Sequence, residues 1–139
     1  MVHIIAGEKG KGKTKVLLDK ANDSVKTSVG NVVFLDKGKD HMFELNNKIR
    51  LINVTDYLIE NSGEFVGFVA GILSQDHDLE ALFLDGFLKI SKSDAESCWP
   101  VIRKLITISD KFNIEIIISL SMASKDIPEE FKENILVAL

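Results

Sequence analysis

The residues with the clearest chemical pattern form one short segment near the start of the chain, Gly7-Glu8-Lys9-Gly10-Lys11-Gly12-Lys13-Thr14. It fits the spacing G-x-x-x-x-G-K-[ST], follows an apolar stretch at 2–6 and precedes a stretch with helical periodicity. Glycines allow the backbone to curl so that several N–H groups point at one anion, and the following helix adds the positive end of its dipole. The segment therefore predicts a phosphate-binding loop between a strand and a helix.

Particular residues of this loop have expected chemical roles. Lys13 is expected to reach the β- and γ-phosphates of a nucleotide, and the Thr14 hydroxyl is expected to bind Mg²⁺. Lys9 and Lys11 either contact phosphate individually or belong to a solvated loop that attracts anions in general. The predicted phosphate-binding residues are Gly7, Glu8, Lys9, Gly10, Lys11, Gly12, Lys13 and Thr14, with a nucleotide and Mg²⁺ as the ligands.

A second candidate ligand for the metal ion is Asp85, which ends the apolar stretch at 81–84. An acid at the carboxyl end of a buried strand lies where open α/β sheets bind ligands. The pattern alone is weak, because many buried strands end in Asp and the residue can instead serve a turn or cap a helix. Combined with the glycine-rich loop, it predicts that Asp85 and Thr14 hold Mg²⁺ together.

The elements that must position these residues alternate between short apolar stretches and longer helical ones. The predicted strands are 2–6, 32–36, 80–85, 113–120 and 135–139, and the predicted helices are 13–28, 55–74 (interrupted near 62–63), 93–112 and 128–132. Two further runs, 41–45 and 48–53, flank Asn46-Asn47 and indicate a small β-hairpin. This alternation predicts a single α/β domain over residues 1–139, a three-layer αβα sandwich with a mainly parallel sheet.

With these motifs, the chain resembles the P-loop NTPases, and within them the RecA-like ATPase core in a reduced, single-domain form. The motifs that carry the resemblance are the Walker A loop at 7–14, the Walker B strand ending at Asp85 and the helix–strand unit at 105–121. In RecA and the replicative helicases, a polar residue after that last strand senses the γ-phosphate. Ser121 has this position beside Ser119, or else the two serines simply end a strand. The resemblance implies the main strand order 5-1-4-3-2.

The chain departs from this family at the glutamate that orients the attacking water. Gly86 follows Asp85, and the second strand is followed by Asp36-Lys37-Gly38-Lys39-Asp40. Asp36 and Asp40 either substitute for the glutamate or are turn and edge residues. The resemblance thus implies catalytic roles for Lys13, Asp36 and Ser121, with weak or partner-stimulated ATP hydrolysis. The alternatives are a non-enzymatic, nucleotide-responsive regulatory or assembly module and a small-molecule phosphotransferase.

Composition restricts the remaining classes of function. The 17 basic residues include only two arginines, Arg50 and Arg103, too few for the arginine lid with which small-molecule kinases clamp phosphates. The net charge is −4, and no basic stripe is interleaved with aromatic residues, so nucleic-acid binding is not indicated. Three dispersed histidines and one cysteine, Cys98, disfavour a zinc site.

Location and partners are predicted less directly. The chain begins without a basic, apolar leader pattern, and its longest nearly uncharged stretch, 65–75, is about half of the ~20 residues that a membrane span needs. We therefore expect a cytoplasmic protein without membrane contact. The family resemblance implies a nucleotide partner and permits a homo-oligomer or another protein partner, with Arg50 or Arg103 acting across an interface.

Overall fold

A parallel sheet of six strands forms the centre of the computed structural model, which describes residues 1–139. The strands are β1 (Val2–Gly7), β2 (Asn31–Asp36), β3 (Arg50–Asn53), β4 (Leu79–Leu84), β5 (Glu115–Ser121) and β6 (Ile135–Ala138). They are ordered β3-β2-β4-β5-β1-β6, and each neighbouring pair is parallel. The central strands read as continuous apolar runs because both of their faces are buried.

Four α-helices cover the two faces of the sheet: α1 (Lys13–Thr27), α2 (Ser62–Gln75), α3 (Phe87–Ile90) and α4 (Cys98–Phe112). One apolar cluster joins α1 to one face, and a larger cluster joins α2, α3 and α4 to the other. The α/β class with helices on both faces is therefore confirmed, and the sheet is wholly rather than mainly parallel. None of the helices combines the length and the apolar character that crossing a membrane requires.

The predicted β-hairpin near 41–53 is wrong. Residues 42–44 form a short 3₁₀ turn, and β3 pairs in parallel with β2, with Arg50 opposite Val33. The segment before β3 is held by Asn22 of α1, whose amide nitrogen donates to the Glu44 carbonyl at 2.9 Å and whose oxygen accepts from the Asn46 N–H at 2.8 Å. The run at 41–45 forms its other backbone bonds within the turn, from the Met42 N–H to the Lys39 carbonyl and from the Glu44 N–H to the His41 carbonyl, instead of with a partner strand.

The order of all six strands does not match the predicted order 5-1-4-3-2. The additional strand β3 extends the edge of the sheet beyond β2, where the sequence had suggested a hairpin outside the sheet. At the centre, β5 lies between β1 and β4. The carboxyl ends of these three strands therefore meet at one edge, next to the loop that leads into α1.

The helices also differ from the prediction. The helix predicted over 55–74 begins only at Ser62, because Val54–Tyr57 form a separate 3₁₀ turn. The helix predicted from 93 begins at Cys98, because the Asp94 carboxylate accepts from the N–H groups of Glu96 (2.9 Å) and Ser97 (2.8 Å) and closes a separate turn. Pro100 then lies in the first turn of α4. The N–H groups of a first turn have no acceptor within the helix, so proline, which lacks an N–H, costs no hydrogen bond there. The short helix α3 was not predicted. It follows directly on Gly86, whose φ of 60° turns the chain after Asp85.

Candidate functional site

The carboxyl edge of the sheet contains a cavity of about 370 Å³. Its walls include Lys13, Thr14, Asp85, Ser119 and Ser121, contributed by the start of α1, the turn after β4 and the end of β5. Residues that are widely separated in the sequence are thus collected where parallel strands end and a helix begins. Such edges are the usual ligand sites of open α/β sheets.

A larger cavity, of about 660 Å³, lies elsewhere, between β3 and α2. It is lined in part by Arg50 and by Tyr57 and Phe68, whose ring centroids are 5.3 Å apart. It contains neither the glycine-rich loop nor Asp85, both of which line the smaller cavity. We therefore place the candidate site in the smaller cavity, where the chemically distinctive residues converge.

The loop between β1 and α1 has the backbone that its glycines predict. Gly10 and Gly12 have φ angles of 86° and 90°, in the left-handed region that other residues rarely adopt. Within the loop, the Lys11 N–H donates to the Glu8 carbonyl at 3.3 Å, whereas the N–H groups of Gly10, Gly12 and Lys13 have no acceptor in the protein. The start of α1 therefore offers several free backbone donors, the feature that binds anions at helix N-termini.

Lys13 is the first residue of α1, and its side chain is buried beneath the loop. The residue is only 8% exposed, and its Nζ donates to the Glu8 carbonyl oxygen at 3.1 Å. Burial lowers the pKa of the Lys13 ammonium, and the negative charge of Asp85 partly offsets that shift. A cation held in this way beside free backbone donors can neutralise the charge of a bound phosphate.

Asp85 is the most highly connected polar residue of the site. The Thr14 hydroxyl donates to its two carboxylate oxygens at 3.2 and 3.1 Å, and the Ser119 hydroxyl donates to Oδ1 at 2.7 Å. Ser119 also accepts from the Gly86 N–H at 2.9 Å, which fixes the hydroxyl in place. The carboxylate, 3% exposed, is thus oriented from two elements. The Thr14 hydroxyl and the Asp85 carboxylate supply the hard oxygen ligands that Mg²⁺ prefers.

Asp36 ends β2 and is joined to His41, a residue that the sequence analysis did not assign to the site. Asp36 is 1% exposed, and its carboxylate accepts from the Lys37 N–H at 2.7 Å and lies 2.7 Å from His41 Nδ1. The hydrogen bond to Asp36 raises the pKa of His41, against the effect of burial. Ligand atoms of Asp36, His41 and Asp85 all lie within 4.8 Å of one another. One imidazole and two carboxylates can together bind a divalent metal ion.

The other predicted site residues are only partly gathered here. Lys9, Gly10 and Gly12 line the cavity, whereas Gly7, Glu8 and Lys11 are not part of its wall. Ser121 lines the cavity with an exposed side chain, and Asp85 is bonded to Ser119 instead. Asp40 is exposed on the turn after β2. The Arg103 side chain is bonded to Glu130 and, like Arg50, lies outside the cavity.

Two contributions to the site were missed for different reasons. Ser119 was noted only as the neighbour of Ser121. Residues two positions apart on a strand point to the same face, so the sequence itself indicates that Ser119 and Ser121 lie on one face of β5. His41 follows Asp36 by five residues through an irregular turn, a spacing that neither strand nor helix periodicity would select.

The chain matches no protein-family model and no curated protein.

Proposed function

We propose that this chain binds Mg·ATP on the loop at 7–14 and is a reduced, single-domain RecA-like P-loop NTPase whose hydrolysis is weak or depends on a partner. The observation that carries the proposal is the bond from the Thr14 hydroxyl to the Asp85 carboxylate, 3.1 Å long and spanning 71 residues of sequence. It joins the two segments that a metal-bound triphosphate would need, next to the buried ammonium of Lys13.

The residues present fit the predicted ligands. Free N–H groups of Gly10, Gly12 and Lys13 are suited to phosphate oxygens, and Lys13 supplies a positive charge. Thr14 and Asp85 would hold Mg²⁺, which when bound neutralises charge that develops on the phosphates. Ser119 keeps the Asp85 carboxylate in a fixed orientation. This donor set supports a metal–triphosphate ligand better than an isolated anion.

The topology gives further support. When the edge strand β3 is set aside, the other five strands, numbered in chain order, run 5-1-4-3-2 across the sheet. This is the main strand order that the resemblance to RecA-like ATPases implies. The unit of α4 and β5 ends at Ser121, where the family places its γ-phosphate sensor. The arrangement of these five strands therefore supports the proposal, although the complete sheet has β3 as an additional edge strand.

The contacts that the Asp36 carboxylate already makes support the proposal that hydrolysis is slow. The buried carboxylate already accepts from the Lys37 N–H and contacts His41, so its capacity to bind an attacking water is reduced. The same observation favours the second candidate function, a nucleotide-responsive module that binds ATP without hydrolysing it. In that case the bound nucleotide would act by shifting the shape or assembly of the protein.

Calorimetric titration with Mg·ATP tests the binding proposal. We expect the wild-type protein to bind and Lys13→Ala to bind at least about tenfold more weakly, because the charged contact to phosphate is lost. Lys15→Ala is the matched control. Its side chain is 80% exposed and pairs with Asp19, and its affinity should stay within about twofold of wild type. Absence of any heat with the wild-type protein at millimolar Mg·ATP would refute the proposal.

Phosphate release separates the two candidate functions. Slow turnover that Asp85→Ala abolishes supports the ATPase, whereas tight binding without turnover supports the module. Transfer of phosphate to an added acceptor, rather than its release, would instead identify a phosphotransferase. Each reaction is compared with and without a chelator, because the proposed role of Asp85 requires Mg²⁺.

A further inference from the structure

Two lysines that the motif does not include form one wall of the cavity at the carboxyl edge. Lys37 and Lys89 line it together with Lys9 and Lys13. Lys37 directly follows Asp36 at the end of β2, and Lys89 belongs to α3, the short helix after Asp85. The ends of two neighbouring parallel strands therefore bring both ammonium groups to the cavity that contains the phosphate-binding loop.

The backbone near both lysines is fixed by short contacts. The Lys37 N–H donates to Asp36 Oδ1 at 2.7 Å, and the Lys89 N–H donates to the Gly86 carbonyl at 2.9 Å. Gly86 has a φ of 60°, and a Cβ placed on it would lie 3.9 Å from Cδ of Lys37. The Lys37 side chain thus passes beside the turn that carries Lys89, and the two cations share one location.

The charges of these side chains have no compensating partner. Neither Lys37 nor Lys89 forms an ion pair with an acid of the chain. Contact with Lys37, and then the charges of Lys37 and Lys9, lower the pKa of Lys89. The carboxylate in this cavity, Asp85, is already bonded to Thr14 and Ser119. Like charges held together repel, and an anion between them would remove that repulsion.

Neither of the two arginines of the chain lines this cavity. Arg103 is paired with Glu130, and Arg50 lines the separate cavity beside α2. The positive groups that line the cavity together with Lys13 are therefore lysines. A lysine acts as a compact point charge that adapts to a phosphate oxygen without the planar fork of arginine.

We propose that Lys37 and Lys89 form a subsite for the terminal phosphate of a nucleoside triphosphate whose other phosphates lie on the loop at 7–14. This inference rests on the proposed function and adds a specificity to it. A diphosphate bound on the loop has no group for this subsite, so the lysine pair distinguishes the triphosphate from the diphosphate.

Titration calorimetry with Mg·ATP and with Mg·ADP tests the subsite. The variant Lys37→Gln/Lys89→Gln should lose about tenfold or more in ATP affinity and change by less than about twofold for ADP. The control Lys39→Gln/Lys104→Gln removes the same charge from exposed lysines that line neither this cavity nor the adjoining one, and it should bind both nucleotides like wild type. Equal losses for ATP and ADP in the first variant, or no loss for either, would overturn the inference.

A failure of the proposed function gives a different result, namely a wild-type protein that binds neither nucleotide. The subsite is then tested with inorganic tripolyphosphate as the probe. Binding that the wild type and the control retain and Lys37→Gln/Lys89→Gln loses supports an anion subsite at this wall. No binding by the wild type, or equal binding by all three proteins, overturns it. Thermal unfolding of each variant verifies that exposed glutamines leave the fold intact.

Discussion

The imidazole Nδ1 of His41 lies 2.7 Å from a carboxylate oxygen of Asp36, a residue that is 1% exposed at the end of β2. The next strand in the sheet, β4, ends at the same level, since the Asp85 N–H donates to the Leu35 carbonyl at 2.9 Å. The turn after β2 thus supplies a partner for a buried carboxylate beside the proposed metal ligand. We expect this contact to affect both the stability of the fold and the chemistry of the carboxylates at this edge of the sheet.

The Asp36–His41 pair should be coupled energetically. His41→Ala removes a donor from a buried carboxylate and should lower the free energy of unfolding by about 1–3 kcal/mol. In a background of Asp36→Ala the same change should have a smaller effect, because no buried charge is then left unpaired. Denaturant unfolding in a chelator measures the cycle, with His77→Ala, on an exposed loop, as a control near zero. Equal effects of His41→Ala in the two backgrounds would contradict the coupling.

The same pair predicts a pH dependence of stability. The hydrogen bond to Asp36 raises the pKa of His41 above its unfolded value of about 6.5, so the folded state binds the proton more tightly. The stabilisation from this shift is fully present below the unfolded pKa and is lost as the pH rises through the folded pKa. The difference in unfolding free energy between wild type and His41→Ala should therefore shrink as the pH is raised above 6.5. A difference that stays constant or grows would rule out this assignment.

Ser119 and Ser121 lie on the same strand and should respond differently to substitution. Ser119→Ala removes the 2.7 Å bond to Asp85 and the acceptor of the Gly86 N–H, and should lower the free energy of unfolding by about 1–3 kcal/mol. Ser121→Ala changes an exposed side chain and should stay within about 0.5 kcal/mol of wild type. Denaturant unfolding measures both. A larger loss of unfolding free energy for Ser121→Ala than for Ser119→Ala would show that Ser119 is not the serine that holds the Asp85 carboxylate.

Local sequence requirements explain why the loop and the main strands could be predicted. Gly10 and Gly12 have positive φ angles, which glycine adopts without strain, and Lys13 begins the helix as the motif spacing predicts. The apolar run before Asp85 is buried on both faces of a parallel sheet and is recognisable from composition alone. Each of these features depends on residues that are adjacent in the sequence.

Other features depend on contacts that sequence spacing does not specify. The predicted hairpin failed because Asn22, on α1, holds the backbone of the segment before β3. His41 reaches Asp36 through an irregular turn, and Lys89 reaches Lys37 only because β2 and β4 are neighbours in the sheet. Periodicity describes which face a residue takes within one element, and it does not determine which elements meet.

The left-handed turn before α1 should be intolerant of a side chain. Gly12 has a φ of 90°, so Gly12→Ala should lower the free energy of unfolding by about 1–2 kcal/mol although nothing occupies the space around its Cβ position. Gly38→Ala is the matched control, since that position is equally open and has no positive φ. It should be neutral or stabilising by up to about 1 kcal/mol. Similar losses for both variants in denaturant unfolding would show that backbone strain is not the cause.

Cys98 should react only when the chain unfolds. Its side chain is fully buried at the start of α4, and burial raises the pKa of the thiol from 9.0 to about 11. At pH 8 this lowers the fraction of reactive thiolate about a hundredfold, in addition to the steric protection. A disulfide reagent should therefore label the native protein at the rate of its opening and the denatured protein at once. The pKa of the Cys98 thiol is higher in the folded protein than in the unfolded chain. Its contribution to the free energy of unfolding is therefore fully present below pH 9 and is lost as the pH rises towards 11. Labelling of native protein as fast as that of denatured protein would place the thiol outside the core.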